Sequence, residues 1–232
     1  LNFGAALARP SSAQIMAEAD CVVAIGTELS EVDLWRDHIG HNCPLYRIDI
    51  DPECLSDHHR ADVGIQARAK DALVALLRVL PKSQSKWEPS QVVSQRKTWR
   101  AETEAERPGI IAIADALRDA IPNETMIYSD MTQFAYVAKE VWPLEQPKHW
   151  HHPSGFGTLG YALPAAIGGA VARPNQPTLA IAGDYGFQYT VQELGTAVEL
   201  GQALPIILWD NGKLKEIEDS MRTAQIAPNA VV

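Results

Sequence analysis

The stretch AGDYGFQYT, residues 182–190, decides the reading of this chain. The apolar run TLAIA (178–182) leads into it, and TVQELGTAVELG (190–201) follows with helical spacing. A polar turn set between an apolar strand and a helix belongs to an α/β sheet, where ligands lie outside the carboxyl ends of the strands. The carboxylate of Asp184 therefore stands where a ligand would be held. Its neighbour Tyr185 is a bulky residue beside two glycines, Gly183 and Gly186.

Working outward, LPIILWDNG (204–212) reads as the next strand, closing on Asp210, Asn211 and Gly212. Upstream, IIAIADALRDA (110–120) reads as a helix. MIYSD (126–130) is a strand ending at Asp130, and TQFAYVAKEVW (132–142) is a helix. A proline- and histidine-rich loop then runs into GFGTLGYALPAAIGGAVA (155–172), a glycine turn opening a helix of small residues. The N-terminal part repeats the α/β rhythm, with SAQIMAEA (12–19) and KDALVALLRVL (70–80) as helices and DCVVAIG (20–26) and LYRIDID (45–51) as strands. Helices alternating with strands predict parallel, doubly wound sheets. Residues 81–107 are rich in Ser, Gln and charge and read as a connector holding one polar helix. The expectation is two doubly wound parallel α/β domains, both incomplete, at 1–80 and 108–232. Leu1 falls in what reads as a loop and AVV ends in mid-loop, so a fragment is expected.

Composition excludes several classes. A net charge of −9 without any Lys/Arg block argues against nucleic acid and against acidic membranes. No apolar stretch is long enough to span a bilayer and no signal peptide opens the chain. Cys21, Cys43 and Cys54 lack CxxC spacing and leave an odd count, which points to a cytoplasmic setting without a disulfide framework or zinc site.

Parallel strands bring their carboxyl ends to one edge, so Asp184 and Asn211 converge across a single crossover. One carboxylate with an amide oxygen is hard-ligand chemistry, suited to Mg²⁺ or Ca²⁺ rather than zinc. Magnesium commonly completes its shell with phosphate oxygens, and amides of the Gly155–Gly157–Gly160 turn at a helix N-terminus would hold a diphosphate. GFGTLG also fits GxGxxG, but the polar HWHHPS (149–154) precedes it where a dinucleotide fold needs a strand. GDYG is unaccompanied by other kinase motifs. Taken alone, Asp184 would equally serve as a helix cap. His149, His151 and His152 are candidate substrate contacts or solvated loop residues. Trp142, Trp209 and Phe134 are expected to pack, and Glu216 and Glu218 to lie on an exposed helix face.

GFGTLGYALPAAIGGAVARP (155–174) and AGDYGFQYTVQELGTAVELGQALPIILWDNG (182–212), in that order, resemble the diphosphate-binding domain of thiamine diphosphate enzymes of the acetolactate synthase and 2-oxo acid decarboxylase superfamily, whose signature is GDG followed by NN. ADCVVAIGTELSE (19–31) and LYRIDIDPECLSDHHRADVGIQARAKDALVALL (45–77) are similar to the latter half of its central domain. The resemblance implies thiamine diphosphate and Mg²⁺ as cofactors, with Asp184, Asn211 and the Lys213 backbone carbonyl as metal ligands. It places Gly183, Tyr185 and Gly186 along the diphosphate, Leu159 beneath the bent cofactor with Thr158 beside it, the Gly157 carbonyl at the aminopyrimidine and Gln133 near the cofactor. FAD, used by some relatives, is not supported.

The resemblance further implies decarboxylation of a small 2-oxo acid with the thiazolium as electron sink, the product being protonated or joined to a second carbonyl. SDMTQFAY (129–136) and LPIILWDN lean towards decarboxylases of basic 2-oxo acids such as 2-ketoarginine, and Glu216, Glu218 and Asp219 are compatible with a cationic substrate. An acetolactate synthase-like carboligase and a non-catalytic scaffold or regulatory relative are the alternatives. The activating glutamate belongs to a separate N-terminal domain met across a homodimer or homotetramer interface, so no catalytic residue is expected here. GDY stands for GDG and DN for NN. The second change keeps the ligand as Asn211. Were position 185 to need a positive φ, Tyr185 would cost roughly 1 kcal/mol or more unless Gly186 took up the strain.

Overall fold

The computed structural model describes residues 3–82 and 86–231, so Leu1, Asn2, residues 83–85 near the start of the connector and Val232 lie outside the described residues. The chain divides into two compact units, Leu1–Trp99 and Arg100–Val232.

In the first unit, β1 (Val22–Ile25), β2 (Leu45–Asp49) and β3 (Val63–Gln66) form a parallel sheet in the order β1-β2-β3. The helices are α1 (Ser12–Ala17), α2 (Glu31–Leu34) and α3 (Ala69–Val79). Leu29, Leu34, Ile39 and Leu45 form the apolar centre, with Leu7, Met16 and Val22 against it. The buried guanidinium of Arg47 donates to Asp57 Oδ1 (2.6 Å), the His59 carbonyl (3.0 Å) and the Thr27 carbonyl (2.9 Å). Strand β3 escaped the sequence reading because Gly64 and Gln66 interrupt its apolar pattern and its residues are exposed. On α3 only Ala72 is buried, while Leu73, Val74 and Leu77 face outward.

Helix α4 (Pro89–Glu106) runs through the connector. In the first unit Trp99 Nε1 donates to Ser11 Oγ (2.8 Å), and Phe3 meets Trp87 and Trp99 edge-on.

The second unit contains α5 (Ile110–Ala120), β4 (Met126–Ser129), α6 (Gln133–Val141), β5 (Trp150–His151), α7 (Ala162–Ala172), β6 (Thr178–Gly183), α8 (Asp184–Thr190), α9 (Glu193–Glu199), β7 (Ile206–Trp209) and α10 (Lys215–Thr223). Its parallel sheet has the order β5-β4-β6-β7. Strands β4 and β6 bury both faces, as central parallel strands covered by helices must. Ile127, Leu179 and Ile181 pack with Ile110, Ala114, Phe134 and Val137 of α5 and α6. The alternate residues Met126, Tyr128 and Ala180 pack with Ala166 of α7 on the opposite face. This is the doubly wound arrangement that the sequence pattern predicts.

In the second unit two segments differ from the sequence reading. The histidine-rich loop contains the short strand β5, which pairs Trp150 with Ile127 and His151 with Tyr128. The segment after β6 is not a turn followed by one helix: Asp184 opens α8 directly, and α9 follows.

Helix α7 approaches the sheet closely because its facing residues are small. At Gly169 a Cβ would collide with the Tyr128 ring, which is itself stacked on His151 (4.7 Å, 10°). Between β4 and β5, Trp150 Nε1 donates to Ser129 Oγ (2.8 Å), whose own proton is then directed to His152 Nδ1 (2.9 Å). Burial, reinforced by Lys139, pushes His152 down to about 4.

Gly169→Ala is expected to lower stability by about 1–3 kcal/mol through overpacking against Tyr128, measured as a fall in the denaturant midpoint at unchanged slope. His152 loses its proton near pH 4 when folded and near 6.5 when unfolded, so the unfolded chain binds the extra proton between these values. Stability should therefore fall as pH is lowered through that window. Urea midpoints at successive pH values should show a shallower decline in His152→Asn.

Candidate functional site

Strand register assembles the site. Ser129 of β4 pairs with Ile181 of β6, and Gly183 of β6 pairs with Trp209 of β7. The residues just beyond these strands, Asp130 to Gln133, Asp184, and Asp210 to Lys213, consequently emerge at one edge. Sheet geometry thus sets Asp184 and Asn211 at one edge, as the sequence reading expected, and Gln133, which only the resemblance placed near a cofactor, emerges there too.

Asp184 is the first residue of α8, where an anion is favoured by the helix dipole. Its Oδ1 accepts from the following Tyr185 amide (3.0 Å), and among the described residues it has no cationic partner. Tyr185 has ordinary right-handed helical backbone and carries no positive-φ strain, because the helix starts at Asp184. The glycine requirement falls one residue later and has a steric cause: a Cβ at Gly186 would strike Asp130 Oδ2. Gly183 is extended and packs by Thr132, whose Cβ would lie 3.5 Å from an added methyl.

Asn211 Oδ1 accepts from the Lys213 amide (3.3 Å), and Asn211 Nδ2 donates to Gln133 Oε1 (3.4 Å). Gln133 Nε2 reaches Asp219 Oδ2 (3.4 Å), so Gln133 ties the loop after β7 to α10. Gly212 has a positive φ of 67°, and its amide donates to Asp210 Oδ1 (3.0 Å). Lys213 Nζ is held by Glu218 (2.7 Å), which also binds Arg222 (2.8 Å), and these two partners hold Glu218 down to about 2.

The acidic residues of α10 correct two sequence expectations. Glu218 is buried and Glu216 half-buried, not solvated, because each meets a cation. Glu216 pairs with Arg107, whose Nε lies 3.3 Å from Oε2, and Asp219 pairs with Lys215. All three carboxylates are therefore neutralised by the chain's own cations and are not a free acidic patch for a cationic substrate.

Gly157 (φ 67°) and Gly160 (φ 80°) take the left-handed backbone that glycine adopts without strain. Thr158 Oγ1 donates to the Leu159 carbonyl (3.1 Å), and both residues are half-buried. The amides of this turn are largely committed internally. Gly157 N donates to the Pro153 carbonyl (2.7 Å), Gly160 N to Asp130 Oδ2 (3.2 Å) and Ala162 N to Asp130 Oδ1 (2.7 Å). Asp130 is 1% exposed, and burial raises its carboxyl despite backbone hydrogen bonds from Ala162, Gly160 and Tyr161 that pull it down. The sequence marked Asp130 only as a strand exit, and its partners some thirty positions away gave no local signal.

The three histidines do not line this edge as solvent-facing contacts. His149 borders a small cavity with Arg118, Thr125 and Trp142 at the beginning of β4, the far end of that strand. His151 is stacked on Tyr128, and His152 closes the Ser129 chain with its Nε2 buried. Trp209 packs against Phe134 and Trp142 against Trp150, as expected of packing residues.

Among the described residues no group of three or more His, Cys, Asp or Glu side chains could hold a metal. A metal here must draw on no more than two carboxylates, with amide and carbonyl oxygens and the ligand itself. That donor set fits Mg²⁺, which retains few protein ligands and takes phosphate oxygens, and does not fit zinc. No described helix is long and apolar enough to cross a membrane.

The family model for the central domain of thiamine pyrophosphate enzymes matches residues 2–76, and that for their C-terminal TPP-binding domain matches residues 130–228. The chain is 38% identical over its whole length to a probable 2-ketoarginine decarboxylase of Pseudomonas aeruginosa, of which it covers 42%. It is 28% identical to the acetolactate synthase isozyme 3 large subunit of Escherichia coli, with 88% of this chain and 38% of that protein aligned. With the acetolactate synthase large subunit of Porphyra purpurea it shares 29% identity, over 84% of this chain and 34% of that protein. The chain thus spans less than half the length of these relatives. Two models in the order found across the two units, together with these relatives, place it: the chain belongs to the thiamine pyrophosphate enzymes, with their central domain in its first part and their C-terminal TPP-binding domain in its second.

Proposed function

We propose that the parent protein is a thiamine diphosphate- and Mg²⁺-dependent decarboxylase of a 2-oxo acid, and that this chain supplies its metal–diphosphate anchor. The observation that carries this reading is the emergence of an uncompensated Asp184 and of Asn211 from the adjacent strands β6 and β7. Asp184 and Asn211 would bind the ion through side-chain oxygens, and Lys213 through its carbonyl. Gln133, already hydrogen-bonded to Asn211, orients that carboxamide. Tyr185 and Gly186, in the first turn of α8, and Gly183 would flank the diphosphate. Leu159, Thr158 and Gly157 would meet the rest of the cofactor from the glycine turn. Bound thiamine diphosphate supplies the electron sink for loss of carbon dioxide.

The similarity to a probable 2-ketoarginine decarboxylase, higher than to the acetolactate synthases, supports a basic 2-oxo acid as substrate and decarboxylation over carboligation. Recognition of the cationic end falls to groups other than Glu216, Glu218 and Asp219, which are already paired. The parent protein would work in the cytoplasm as a homodimer or homotetramer, the activating glutamate coming from a further domain.

Calorimetry on the full-length protein should show cofactor binding that disappears when EDTA removes the metal and weakens at least roughly 100-fold in Asp184→Ala. Undiminished binding by that variant would remove Asp184 from the metal site. The isolated 232-residue chain, given thiamine diphosphate, Mg²⁺ and 2-ketoarginine or pyruvate, is expected to release no carbon dioxide. Turnover by that chain would show that no further domain is needed.

A further inference from the structure

We propose that Asp130 is the positioning residue of the cofactor site, locking the glycine turn, the start of α7 and the first turn of α8 into one unit. The inference rests on the cofactor reading above but concerns a residue that makes no contact with metal or cofactor in it. Asp130 leaves the carboxyl end of β4 and is 1% exposed. Oδ2 takes Gly160 N (3.2 Å) and Oδ1 takes Ala162 N (2.7 Å), with the intervening Tyr161 amide also turned to the carboxylate. No described cation neutralises it, so its charge is balanced by backbone donors at the start of α7.

The same Oδ2 occupies the space that a side chain at Gly186 would need, and a Cβ there would also lie 3.4 Å from Gly160 N. Gly186 thus seats α8 on the hydrogen bond between Asp130 and Gly160. Thr190 Oγ1 closes the assembly by donating to the Gly160 carbonyl (3.3 Å). A Cβ at Gly160 would come within 3.1 Å of Tyr189, so the turn has no slack on its other side. The placement of Asp184, at the start of α8, and of Leu159, in the turn, is therefore set by one buried carboxylate.

A chemical consequence follows for the ligand. Asp130 already fills the anion position at the start of α7, so the amides of Gly160 and Ala162 are not available to a diphosphate. The negative charge of the cofactor must be met by the metal ion and by donors on the α8 side of the edge.

The test uses full-length protein as wild type, Asp130→Asn and Gly186→Ala. Asparagine keeps the size and one acceptor oxygen but turns an NH₂ towards an amide N–H. Gly186→Ala leaves Asp130 in place and pushes on its oxygen. Calorimetry with thiamine diphosphate at saturating Mg²⁺ should give a Kd raised about 10- to 100-fold in both variants, with wild-type stoichiometry. Hydrogen exchange of apo protein should be faster in the peptide covering Gly160 to Ala162 in Asp130→Asn. Wild-type Kd in the variants, or a reduced stoichiometry with unchanged Kd, would overturn the positioning role and reduce Asp130 to a folding residue. If wild type itself bound no cofactor, the cofactor reading would fail. Exchange at Gly160 to Ala162 would still decide the role of Asp130, unchanged rates counting against it.

Discussion

The pairing of β4 with β6, in a register that sets Ser129 beside Ile181, is the constraint on which the second unit depends. Both strands are buried on both faces, so a slip of one residue would turn Ile127, Leu179 and Ile181 away from α5 and α6 and drive them into α7. That cost fixes the lengths of the strands, and so fixes which residue is the first to leave the sheet. Asp130 and Asp184 each hold that first position on adjacent strands. Chemistry at the edge is thus inherited from packing in the interior.

Much of this was legible in the sequence because the relevant signals are local. The apolar runs at 126–129, 178–182 and 206–209 announce parallel strands, and parallel strands oblige Asp184 and Asn211 to share an edge whatever the intervening loops do. What was not legible depends on partners remote in the chain. The charge on Glu216 looks solvated until Arg107, 109 positions earlier, is placed against it. Strand β5 is two residues long and pairs through its backbone, leaving no periodicity to read. The sequence leaves the backbone of Tyr185 open, because the start of α8 is set by where β6 stops, not by any property of the GDY triplet.

Charge around the candidate site is organised in two ways. On α10 the acids are compensated side chain to side chain, with Glu218 clasped by Lys213 and Arg222, so the loop after β7 is braced without exporting a field. At the strand edge the two acids that matter are compensated differently. Asp130 is balanced by backbone amides and sealed, whereas Asp184 is only half-buried and has no counter-charge among the described residues. An incoming cation meets an unanswered carboxylate in the half-buried Asp184 at the start of α8, while the exposed Asp210 of the same edge accepts from the Gly212 amide.

The collision that forbids a side chain at Gly186 also bears on how such chains are found. In this chain the glycine after β6 answers to a neighbouring carboxylate, and the backbone at position 185 takes no positive φ. A pattern that demands GDG as three consecutive letters therefore tests a position whose backbone does not call for glycine here and overlooks the one where a side chain would collide. Scanning for an acid at the end of a preceding strand together with glycine two places after the aspartate that opens the helix would follow the steric cause rather than the spelling.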